Sequence, residues 1–73
     1  MPKYSVVLFY STSHAIRAEK VLLQAGIAHK MIPTPRQLSS DCGMALRFDR
    51  ADEERVARTL AAHKVPINGI HAI

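Results

Sequence analysis

The chain predicts an α+β domain of ferredoxin-like type, βαββαβ, with a four-stranded antiparallel sheet carrying two helices on one face. Three observations lead there. Four segments have strand composition, two have apolar residues at helical spacing, and no linker, long-period repeat or low-complexity tract separates them. A chain of 73 residues makes one domain, residues 1–73, with one modest core. Right-handed crossovers then place the strands in spatial order 4-1-3-2.

Tyr4 to Tyr10 (YSVVLFY) is β-branched and aromatic and apolar on both faces, which suits a central strand. Ser11, Thr12 and Ser13 are candidate N-caps for a helix over His14 to Ala25. Ala15, Ala18, Leu22 and Ala25 form its apolar stripe, with Val21 beside them, while Arg17, Lys20 and Gln24 point away. Gly26 is placed to end that helix in a left-handed turn. Ala28 to Pro33 reads as a second strand, and Pro33 and Pro35 mark it as an edge strand or its exit.

Met44 to Phe48 alternates, with Met44, Leu46 and Phe48 on one face and Ala45 and Arg47 on the other. Asp49 is a candidate cap for a second helix. Asp52, Glu53 and Glu54 lie in its first turns and Arg55, Arg58 and Lys64 in its later ones, an order that complements the helix dipole. Val56, Ala57, Leu60 and Ala61 make its stripe. Pro66 blocks continuation, and Ile67 to Ile73 reads as a last strand weakened by Gly69.

Ten Lys+Arg against six Asp+Glu give a formal charge of +4, which favours anionic partners. There is no basic block, and the two Tyr and two Phe form no RNA-binding signature, so nucleic acid is not an expected partner. A single cysteine makes no internal disulfide and points to a reducing, cytoplasmic setting. The first residues lack a secretory layout, and no apolar stretch is long enough to cross a bilayer, so no membrane is expected.

The chemistry concentrates in PTPRQLSSDCG, residues Pro33 to Gly43. In the expected topology this loop shares one end of the sheet with the start of the first helix, which brings Cys42 near Ser11, Thr12, Ser13 and His14. Helix N-termini, amides and cations activate a thiol. The expected helpers of Cys42 are the helix amides, Arg36 and His14, with Ser39 and Ser40 as hydroxyl donors. Gly43 leaves room for a partner's backbone. Asp41 opposes the activation through its charge. The competing reading has Cys42 as a small buried hydrophobe at the first position of the third strand and Ser-Ser-Asp as turn residues. No His/Cys/Asp set has metal-ligand spacing, and there is no phosphate loop, nucleophile elbow or C-x-x-C pair, so no metal or cofactor is expected. The machinery suits a carrier or accessory protein better than a self-contained enzyme.

FYSTSHAIRAEKVL followed by IPTPRQLSSDCGMALRF resembles the selenium/sulfur carrier protein-like family of small domains, over roughly Tyr4 to Gly69. The most specific part is P-x-P-R-x-L-S-S-D-C-G with the A-L-R-F after it. That resemblance implies a thiol, at Cys42, that receives sulfur or selenium and hands it on. It also implies two kinds of partner, a sulfur- or selenium-mobilising enzyme and an acceptor enzyme. Two other classes compete. One is a small-molecule-binding regulatory module, by analogy of fold. The other is an interaction module that dimerises through the sheet face the helices leave open.

Overall fold

The computed structural model describes residues 3–38 and 42–73. The elements run β1 (Tyr4–Leu8), α1 (Thr12–Gln24), β2 (His29–Pro33), β3 (Met44–Asp49), a single 3-10 turn (Arg50–Asp52), α2 (Glu53–Ala62) and β4 (Ile70–Ala72). The sheet order is β2-β3-β1-β4, and every neighbouring pair is antiparallel. This is the expected ferredoxin-like α+β arrangement. The doubly apolar strand is interior and the proline-flanked strand is at an edge.

Alternation along β1 assigns its two faces. Val7 and Phe9 enter the main core with Leu46 and Phe48 of β3, Ala15, Ala18, Val21 and Leu22 of α1, and Val56 and Leu60 of α2. Both helices therefore lie on that one face. Val6, Leu8 and Ala45 form a smaller buried cluster on the opposite face, against which Ile32 and Leu38 pack. The face expected to be open is thus partly covered. Ser5 shares the helix-side parity and is fully buried, and its hydroxyl donates to the Glu53 carboxylate at 3.0 Å, pinning the start of α2 to β1.

The helix ends follow from local chemistry. The Ser11 side chain accepts from His14 N–H at 3.4 Å, so Ser11 is the N-cap of α1. At the other end Ile27 N–H donates to Leu22 C=O and Gly26 N–H to Leu23 C=O, the Schellman pattern, with Gly26 at φ +73°. The end of α2 repeats it, with Val65 N–H to Leu60 C=O and Lys64 N–H to Ala61 C=O, but here Lys64 holds the left-handed position at φ +57°. A side chain there costs about 1–2 kcal/mol. Lys64→Gly is therefore expected to raise stability by about 1 kcal/mol, read as a rise in Tm of ~4–8 °C in thermal unfolding. The antiparallel helices also cap each other. Arg17 of α1 donates to the His63 carbonyl at 2.9 Å, and Arg55 of α2 to the Ala25 carbonyl at 3.0 Å.

Several boundaries differ from the sequence reading, and α1 begins at Thr12 instead of His14. The first strand stops at Leu8, because the chain turns at residues 10–11 into the Ser11 cap. Asp49 caps the 3-10 turn through Ala51 N–H, and α2 proper begins at Glu53. The last strand starts at Ile70 instead of Ile67, because Pro66 has no N–H to give and Gly69 sits at φ +118°. Asn68 N–H and Leu8 N–H still tie that approach segment to β1.

Candidate functional site

Residues 42–43 lead into β3 at the end of the sheet where α1 begins. The β2–β3 register ends at Pro33 opposite Met44, and beyond it Thr34 N–H donates to Gly43 C=O at 2.9 Å. The Thr34 hydroxyl donates to the Cys42 carbonyl, also at 2.9 Å. These two bonds close the neck of the loop and fix the backbone at Cys42.

Cys42 is 2% exposed and belongs to the main core with Phe9, Ala15 and Leu46. Its parity explains the burial: Cys42 lies two residues before Met44, and Met44, Leu46 and Phe48 all face the helices. Its sulfur has polar company as well. Met44 N–H donates to Sγ at 3.4 Å, and the Thr12 hydroxyl lies 3.9 Å from Sγ. Thr12 is the first residue of α1, where the partial positive end of the helix is concentrated. The amide donates to sulfur and the hydroxyl is within reach of it in either role, an arrangement able to steady charge on sulfur.

The other expected site residues divide. Thr12 reaches Sγ. Ser13 is exposed on the first turn of α1. His14 is part-buried in the same turn, and its Nδ1 is shielded with no hydrogen-bond partner among the described residues. Arg36 is exposed in the turn after Pro35. Gly43 is exposed, and a Cβ there would meet nothing within 4 Å, so the fold itself makes no demand for glycine at that position. Ser39, Ser40 and Asp41 lie outside the described residues. Among the described residues no group of three or more His, Cys, Asp or Glu could hold a metal ion, and no helix is long and apolar enough to cross a membrane.

Thr34 and the Met44 amide were not foreseen. The signal for Thr34 is its place between two prolines at the exit of an edge strand, one step past the last register pair. Thr34→Val keeps the shape and removes the hydroxyl bond to the Cys42 carbonyl. Such a bond contributes about 1 kcal/mol. The variant is expected to raise the alkylation rate of Cys42 in the folded protein roughly five-fold, measured with a thiol reagent under native conditions.

No curated protein and no solved structure matches the chain. A family model described as "Putative Se/S carrier protein-like" matches residues 3–72. That span takes in every element of the fold, the loop neck and Cys42, and the chain therefore belongs to the Se/S carrier protein-like family.

Proposed function

We propose that the protein is a sulfur or selenium carrier and that Cys42 Sγ is the acceptor atom. One observation supports this most directly: in a chain of the carrier family, the sole thiol lies against the Met44 amide and the Thr12 hydroxyl at the start of α1. In loading, the Cys42 thiolate attacks the outer sulfur of a persulfide on the donor protein. A bond forms between Sγ and that sulfur as the donor's own S–S bond breaks, and the bonding pair leaves with the donor thiolate. Cys42 then holds a persulfide, or the selenium equivalent when selenium is the outer atom. Unloading runs the same exchange toward a nucleophile on the acceptor, and Cys42 returns as thiolate. The step is redox-neutral and needs no cofactor. The partners are a sulfur- or selenium-mobilising enzyme and an acceptor enzyme, and a lone cysteine suits the reducing cytoplasm in which such a relay would work.

At 2% exposure Sγ is reached only when its cover moves, so loading follows an opening step. The test has two parts. Alkylation of Cys42 is timed in folded and unfolded protein, and the folded protein is incubated with a cysteine desulfurase and cysteine. The expected result is a mass gain of one sulfur atom per chain that a reducing thiol removes. No gain on folded protein, with the desulfurase loaded, overturns the proposal.

The same burial favours a second reading, in which Cys42 is core packing in a ligand-binding or dimerising module. Val6, Leu8 and Ala45 are already covered within one chain, and the exposed apolar side chains beside them include Tyr4 and Ile73, at 37% and 45% exposure. A molecular mass that rises with protein concentration, together with failure to accept sulfur, would select this reading.

A further inference from the structure

The far end of the sheet, on the face away from the helices, carries an unusual juxtaposition. The β2–β3 register sets Lys30 directly opposite Arg47. Arg47 in turn pairs with Val6, and Val6 with His71, so one row across the sheet reads Lys, Arg, Val, His. Like charges directly opposite on one face repel. Among the described residues neither Lys30 nor Arg47 forms an ion pair. The Arg47 guanidinium lies 4.4 Å from the centre of the Tyr4 ring. That contact uses the flat face of the group and leaves its in-plane N–H donors for other partners.

A cavity of about 190 Å³ opens beside this pair, lined by Tyr4, His29, Lys30, Arg47 and Asp49 among others. The Asp49 carboxylate is engaged with Ala51 N–H at 2.9 Å. His29 is oriented by a 2.8 Å hydrogen bond between Nδ1 and the Ile27 carbonyl, which in the neutral ring leaves Nε2 without a proton. The volume falls below the ~300–1,000 Å³ of sites for whole drug-sized ligands, and it suits one charged head group.

We propose that this cavity is an oxyanion site. It takes inorganic phosphate, or the phosphate of a small phosphomonoester, between Lys30 and Arg47, with Tyr4 as its apolar wall. Lys30 and Arg47 bring two positive charges and Asp49 one negative, so a net positive lining faces the roughly −1.5 to −2 charge of a phosphate monoester. The guanidinium fork matches two phosphate oxygens, and lysine supplies a point charge. A bound dianion converts the cross-strand repulsion into two attractions. The site lies roughly 17 Å along β3 from Cys42, by strand rise, and it is independent of the carrier reading.

The test compares thermal unfolding in phosphate and in chloride at matched ionic strength, and follows backbone amide NMR shifts on titration with inorganic phosphate and with adenosine monophosphate. Phosphate is expected to raise the melting temperature and to shift the amides around residues 30 and 47. Lys30→Gln is expected to melt higher than the parent in low-salt, phosphate-free buffer, because the repulsion is gone, and to bind phosphate at least ten-fold more weakly. Equal binding of the two probes assigns free phosphate, and tighter binding of the nucleotide assigns a monoester; either supports the site. Equal melting in chloride and phosphate, or an undiminished phosphate response in Lys30→Gln, would each overturn it.

Discussion

Cys42→Ser is expected to abolish sulfur loading while leaving the protein folded. The reasoning starts from the surroundings of Sγ. A serine oxygen at that position finds two hydrogen-bonding groups already in place, Met44 N–H and the Thr12 hydroxyl. A buried hydroxyl that gains partners costs little beyond the weaker dispersion of oxygen against its apolar neighbours, about 1–2 kcal/mol in all. Cys42→Ala serves as the companion, since it removes the sulfur without adding a polar atom, at a cost of similar size. Transfer of one chalcogen atom has no alternative acceptor, because the sequence has one cysteine. Both variants should therefore stay at background in the desulfurase assay, by mass, with a circular dichroism spectrum like the parent's. A folded variant that still gains sulfur would exclude Cys42 as acceptor.

Phe9→Ala is expected to have the largest effect on stability, about 3–5 kcal/mol. Phe9 is fully buried, shares the main core with Cys42, and sits between the end of β1 and the Ser11 cap. A domain of this size has on the order of 4–11 kcal/mol in total. The variant should thus populate unfolded chains at ordinary temperature, read as loss of a cooperative transition or a sharply lowered midpoint in urea. Cys42 should then alkylate at nearly the rate of the unfolded chain, which would tie the shielding of the thiol to the integrity of this core. A stability within a few tenths of a kcal/mol of the parent's would show that the core closes over the missing ring.

The order of elements and of strands was legible in the sequence because each signal is local. Ser11 caps, Gly26 turns left-handed, and YSVVLFY has no polar face to offer solvent, so it must be interior. The neighbourhood of Cys42 and Thr12 was legible too, since connectivity alone puts the loop and the start of α1 at one end. The direction of the thiol was readable from period-two alternation, as Cys42 shares parity with Met44, Leu46 and Phe48. The role of Thr34 was not legible. Which threonine closes a hairpin neck depends on pairings between residues about eight positions apart. The late start of β4 was hidden for a related reason: Ile67 has strand composition, and the backbone angle at Gly69 overrides it.

The central place of β1 has a consequence during synthesis. β1 is made before either strand that covers its edges. Its partners come from residues 44–49 and 70–72, so one edge stays open until the first of these segments is made and the other until the second. Meanwhile YSVVLFY, seven residues without charge, proline or glycine, leaves the ribosome as an unpaired, aggregation-prone ribbon. The long-range pairings that define this fold make the nascent chain its most vulnerable form. Slow translation between β1 and β4 would expose that vulnerability in a protein whose finished sheet keeps Val6, Val7 and Leu8 out of water.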